Sequence, residues 1–436
     1  MTSTASEAAD ARAVRPRRGP LAGIRVADFC WVGVGSVATR LLADFGAEVI
    51  KIEDRTKYDV VRRLPFHKRG SGGDPGPGDG PGTAAERSGL FNNYARNKLG
   101  VAINMKLPAG RVLAERLIAH SSVVTENFAP GVMERWGLSY QRLTELSPEV
   151  IFARMSGFGQ SGPAREFKSY GPIVQAYSGL SHISGLPGRP PSGWGYSYMD
   201  VQGAYYNSAA LLMAIYRRGL TGHGTQIDVS AVEVGVNLLG PLLLDVDVNS
   251  ASTRRPGFPT GNRLEHPRAA PHGVYPCAGT DRWIAIAIFD DRDWDCLVDA
   301  LGAPAWTGDP RCATQADRFA NQDFLDERLT DWTRTQDDYA LMDALQGRGI
   351  AAGVVQNARD VQERDPQVAY RDTFFAMDHP VIGPGRFEGM PFRASRTTAD
   401  NWRSAPMIGE DNEYVFKQIL GIDDEEYRHL EDEGVI

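Results

Sequence analysis

A repeating switch in hydrophobic period constrains this chain more than any other feature of its sequence. IRVADF (24–29) reads as a short buried strand, SVATRLLADFG (36–46) keeps its apolar residues on one helical face, and AEVIKIE (47–53) reads as a second strand. Such a run, then a helix-period segment, then a second run predicts strand, helix, strand. The pattern returns in VAINM (101–105), PAGRVLAERLIAH (108–120), SSVVTEN (121–127) and IFARMSGFG (151–159). It returns once more in GAYYNSAALLMAIYRR (203–218), a helix read as ended by Gly219, before the strand IDVS (227–230). Strands joined by helices run parallel and need cover on both faces, so the fold class is α/β with a Rossmann-like sheet.

A chain of 436 residues exceeds the size at which one core stops growing, so two domains are expected. Residues 1–19 are read as a disordered tail, 20–235 as the large domain and 236–265 as a linker. Residues 266–345 are read as a smaller α+β domain, and 346–436 as chain returning to complete the large one. The stretch KRGSGGDPGPGDGPGTAAERSG (68–89) is too rich in Gly and Pro for regular structure and is read as a loop able to act as a lid.

Composition narrows the function classes. Hydrophobic residues at 42% and charged residues at 23% match soluble globular proteins rather than fibres or disordered chains. The net charge of -8 argues against nucleic acid as a partner while leaving room for a local basic pocket. Cys30, Cys277, Cys296 and Cys312 show no metal-ligand or CxxC spacing, so reduced thiols in a cytoplasmic compartment are expected, with no metal. No apolar run reaches the roughly 18 residues of a membrane span, and the N-terminus lacks a signal-peptide apolar region.

Gly33, Gly35 and Ala38 spell GxGxxA after the first strand, with Glu53 closing the second. That is the outline of a dinucleotide fingerprint. The intervening DFCW delays the turn, and a tight strand-to-helix connection accounts for the glycines equally well, so NAD is not expected.

A second pattern covers far more of the chain. PLAGIRVADF, RLLADFGAEVIKIE, YARNKLGVAINM, VVTENFAPGVMERWGL and ARMSGFGQSGP are followed by YSYMDVQGAYYNSAALLMAIYRRGLTGHGTQIDVS, APHGVYPCAGTDRWIAIA, RGIAAGVV and APMIGE. In residue type, order and spacing these resemble the class III CoA-transferases, a group that includes formyl-CoA transferase, carnitine CoA-transferase and the α-methylacyl-CoA racemases. The resemblance implies acyl-CoA and a carboxylic acid as substrates, and two subunits interlocked like links. It implies Asp200 as a nucleophilic carboxylate that attacks the thioester, placed just before a helix where the dipole favours its charge. A helix N-cap is the alternative role for an Asp there.

Racemases of the family carry the His of a GHD motif about 30 residues before the Asp; the same register here reads Ser169, Tyr170, Gly171. An ordinary Tyr titrates near 10 and exchanges α-protons poorly, whereas its hydroxyl can orient an acyl oxygen, so the transferase branch is favoured. Racemase or lyase chemistry, or a non-catalytic CoA-binding subunit, are the rivals. For CoA phosphates the matched cations are Arg135, Lys168 and Lys106, with Val32 and Ile103 flanking the adenine. Asn127 either fixes its loop or contacts the pantetheine. Formyl-CoA transferase has a Gln at the place of Gly33 and consecutive glycines at the place of PTGNRLEH. The missing side chain at Gly33 is read as making room, and Trp194, Tyr196 and Tyr198 as walls for a medium-sized or partly apolar acyl group, unless they merely pack core.

Overall fold

The computed structural model describes residues 17–64, 84–250 and 259–436. Most of the expected N-terminal tail, most of the candidate lid 68–89 and part of the expected linker therefore lie outside the described residues. The chain divides into two compact units, one formed by 1–180, 193–243 and 371–436, the other by 181–192 and 244–370.

The first unit is built on a six-stranded sheet of order β3-β2-β1-β4-β5-β6. Its strands are β1 (Arg25–Asp28), β2 (Glu48–Glu53), β3 (Leu99–Ala102), β4 (Val123–Glu126), β5 (Ile151–Ser156) and β6 (Thr225–Ser230), all parallel. Strand residues alternate between two apolar layers, as period 2 requires. Val26, Val49, Val123, Ile151 and Ala153 form one core with Leu42 and Ala43 of helix α1 (Val34–Asp44) and Leu211 and Ala214 of a long helix, Tyr198–Thr221. Ala27, Ile50, Val101, Val124 and Phe152 form the other with Leu113 and Leu117 of Pro108–Ala119 and with Val415, Phe416 and Ile436.

The return of the chain explains that second layer. An antiparallel hairpin, Phe374–His379 with Gly383–Glu388, precedes it. Asp411 and Asn412 then accept bonds from the Gly100 and Ala102 N–H groups at 2.7 and 2.8 Å. These satisfy the free edge of β3, which would otherwise expose unpaired donors.

The second unit carries the antiparallel sheet β7-β8-β9, His272–Pro276, Trp283–Ala287 and Ala351–Val354. Helices such as Asp291–Leu301 and Gln322–Thr333 cover it through Leu297, Leu325 and Leu329.

Three sequence readings are corrected. The return to the first unit begins at Arg371 rather than 346, because Ala351–Val354 is the third strand of the small sheet. The expected linker opens instead with helical residues, Ala231–Leu238 and Gly240–Asn249. The long helix spans Tyr198–Thr221 and stops at Gly222, which is left-handed at φ 70°; Gly219 lies inside it.

Candidate active site

In a doubly wound sheet the strand order reverses between β1 and β4, so the loops leaving those strands separate and open a crevice. Here they are the segment after Asp28 and the segment after Glu126. They are stitched across the crevice by Asn127, whose amide accepts from the Trp31 N–H at 2.8 Å and donates to the Trp31 carbonyl at 2.6 Å. Of the two roles open to Asn127, the loop-fixing one is therefore present in the fold.

A cavity of about 320 Å³ opens there, lined by Val32, Gly33, Asn127, Lys168, Tyr170 and Asp200 among others. Val32 and Asp200, 168 positions apart in sequence, thus share one wall. The volume suits the reactive end of a thioester and not a whole CoA.

Asp200 is in the first turn of the helix Tyr198–Thr221, and Ser197 is its N-cap residue. The expectation that Asp200 precedes the helix is thus corrected. Burial pushes its carboxyl from 3.8 up to about 6, and a hydrogen bond from the Ser197 hydroxyl opposes that rise. A carboxylate with such a value is mostly ionised at neutral pH and more basic than an ordinary one, which suits a nucleophile.

The two glycines of the GxGxxA segment have steric causes. A Cβ at Gly33 would stand 3.1 Å from Asp200 Cβ and 3.2 Å from its Oδ2, and one at Gly35 would collide with the Cys30 side chain. The missing side chain at Gly33 therefore lets the backbone approach Asp200 at the cavity wall.

The remaining candidates separate. Tyr170, N-cap residue of Gly171–Tyr177, is 74% exposed on the cavity wall. Lys168 is exposed beside it, joined by Arg165, which sequence reasoning missed. Arg135 and Lys106 are exposed but do not line the cavity. Ile103 is 1% exposed within the main core, so its side chain has no free face for an adenine ring, and that expectation is corrected. Trp194, Tyr196 and Tyr198 cluster edge to face, with centroids at 4.4 and 6.0 Å, and Trp194 and Tyr196 are exposed rather than core.

Tyr94 also escaped the sequence reading. It packs on Val37, Ala38 and Ala204, and its hydroxyl is raised by burial and by the charge of Asp200, which places it near that carboxylate. It follows the Gly/Pro-rich stretch directly, where no periodic signal marked it.

Comparison with known proteins identifies the family. Residues 21–412 match the family model for CoA-transferase family III. The chain is 31% identical over 422 residues to a succinyl-CoA–D-citramalate CoA-transferase of Chloroflexus aurantiacus, covering 97% of this chain and 99% of that one. It is 28% identical to a formyl-CoA:oxalate CoA-transferase of a Bradyrhizobium species, with 95% and 97% covered. The crystal structure of a CAIB/BAIF family protein from Brucella suis superposes with a TM-score of 0.81 at 25% identity, covering 92% of this chain and all of that one. With the match running from Leu21, four residues ahead of the first strand, to the residues that close β3, this chain belongs to CoA-transferase family III and is a CoA-transferase.

Proposed function

We propose that the chain is an acyl-CoA:carboxylate CoA-transferase in which Asp200 carries first the acyl group and then CoA. The observation that supports this best is the Asp200 carboxylate, raised to about 6, on the wall of the cavity at the sheet's switch point. In the first step an Asp200 oxygen attacks the thioester carbonyl, the C–S bond breaks, and CoA thiolate leaves a mixed anhydride. Thiolate attacks the Asp200 carbonyl, expelling the donor acid and leaving an aspartyl-CoA thioester. The acceptor carboxylate displaces thiolate to form a second anhydride, and thiolate then takes the acceptor acyl group and frees Asp200. Tyr170 stands on the wall to orient an acyl oxygen, with Val32 and Asn127 beside it. Lys168, with Arg135 and Lys106 farther out, supplies cations for the part of CoA that the cavity cannot hold.

The cluster of Trp194, Tyr196 and Tyr198, exposed at Trp194 and Tyr196 and outside the cavity lining, supports a medium-sized or partly apolar acyl group whose tail extends beyond the cavity. Because one relative is named for succinyl-CoA, succinyl-CoA is the first donor to try. The same reading makes the protein a cytoplasmic homodimer. Met213, Tyr216 and Leu220, at 66, 72 and 71% exposure, form an apolar stripe on the long helix that a second copy would cover.

The test is to incubate the protein with an acyl-CoA and hydroxylamine and to map the modified residue by mass spectrometry. Modification at Asp200, and loss of transfer in Asp200→Ala, are expected. Full transfer by Asp200→Ala removes the mechanism, and solvent deuterium entering the α-carbon without an acceptor acid favours racemase chemistry instead.

A further inference from the structure

One residue beside the nucleophile is held in a conformation that its side chain opposes. Val32 has φ +61°, the left-handed region that β-branched residues avoid. Such a residue persists only where its surroundings over-determine it, and here they do. Asp28 accepts from the Cys30 N–H at 3.0 Å, and Lys51 donates to the Cys30 carbonyl at 2.7 Å. Asn127 brackets Trp31 on both sides. At Val32 itself the backbone N–H donates to Asp59 Oδ1 at 3.0 Å. Asp59 is buried, paired with the equally buried Lys51 at 3.0 Å, and anchored by accepting from the Val61 N–H. The next residue is Gly33, whose backbone meets the Asp200 carboxylate.

We propose that Asp59 is a positioning residue for acyl transfer: by bonding the Val32 N–H it keeps Val32 left-handed, and so sets the Gly33 backbone against Asp200 and fixes where the attacking oxygen stands. The other three side chains hold the residues before the turn; Asp59 bonds the strained residue. With that bond gone, Val32 relaxes toward negative φ, the following peptide rotates, and the wall behind Asp200 shifts. A displacement of about 1 Å at a reacting group costs up to ~100-fold in rate. The inference rests on Asp200 being the nucleophile.

The experiment is a double-mutant cycle read by single-turnover loading of Asp200 from acetyl-, succinyl- or hexanoyl-CoA, followed by intact mass after acid quench. Asp59→Ala is expected to slow loading at saturating donor by about 30- to 100-fold while moving the half-saturating donor concentration by less than about 3-fold. In a Val32→Gly background the same change is expected to cost under about 5-fold, because glycine takes the left-handed turn unaided. Asp59→Ala leaves Lys51 buried without its partner, so the cycle is repeated with Lys51→Met plus Asp59→Leu, which replaces the ion pair by apolar side chains of similar size. Equal losses with and without Val32→Gly, in proteins that melt cooperatively, overturn the positioning role. Loading at the wild-type rate in the Asp59 variants also overturns it and leaves Asp200 as nucleophile untouched. A wild-type protein that no donor loads refutes the nucleophile, and the positioning role falls with it.

Discussion

The backbone of Gly33 and the carboxylate of Asp200 are in direct apposition: a single added carbon at 33 would lie 3.2 Å from Oδ2 and 3.4 Å from Cγ. That is closer than ordinary contact, so one of the two must move. Gly33→Ala is expected to lower kcat about 10-fold through displacement of the Asp200 carboxylate, with little change in unfolding temperature. Steady-state kinetics beside a thermal melt checks it.

Asp200 also makes the fold less stable than it could be. Its carboxyl is raised from 3.8 to about 6 by burial, and at ~1.4 kcal/mol per decade this is about 3 kcal/mol at most. The sign follows from the raised value: protonated Asp200 favours the folded state, and that contribution is full below the unfolded value and lost as pH rises through about 6. Asp200→Asn should therefore melt higher than wild type at pH 8, with the gap closing toward pH 4.5. Melting curves across that range decide it.

Ser197 restrains the same titration, because its hydroxyl bonds the Asp200 carboxylate. That side chain makes no capping bond to the helix, so Ser197→Ala removes one influence cleanly. The acid limb of kcat/KM, expected near pH 6 in wild type from Asp200, should move up by about 0.5 to 1 pH unit. A pH–rate profile that does not move would remove Ser197 from the site.

The exposed cations should act on binding more than on chemistry. Lys168→Ala and Arg135→Ala are each expected to raise KM for acyl-CoA by about 10-fold, as for loss of one charge-assisted phosphate contact. The effect should shrink as ionic strength rises. Initial rates at two salt concentrations measure both.

Closure of the β3 edge should be visible as stability. Asn412→Ala leaves the buried Ala102 N–H without its acceptor, an expected loss of about 1–3 kcal/mol. Denaturant unfolding of the variant reads it directly.

The parallel sheet was legible because strands such as EVIKIE and VVTE, buried along nearly their whole length, alternate with one-faced helices. Asp200 and Tyr170 were legible only through their register in a long ordered motif set; nothing in the spacing shows that they share a wall with Gly33. What stayed hidden depends on contacts distant in sequence. Asp59 serves Val32 through a fold-level approach of two loops, and Asn412 serves Ala102 across 310 residues. The small sheet's third strand, Ala351–Val354, is four small or apolar residues with no alternation, so the boundary of the second unit was placed too early. The closeness of Gly33 to Asp200 was not legible because an absent side chain looks the same in sequence whether a ligand or another residue fills the space.

The closing of β3 by Asp411 and Asn412 sets an order on biosynthesis. While the chain is still emerging from the ribosome, its first 243 residues hold five helix-linked strand crossings but lack the acceptors that seal the sheet's outer edge. The second unit, threaded between them, is made and can fold before the first is finished. Completion of the first unit therefore waits until residues 411 and 412 have been made, and a message cut short before them yields a chain with an open sheet edge rather than a slightly smaller enzyme.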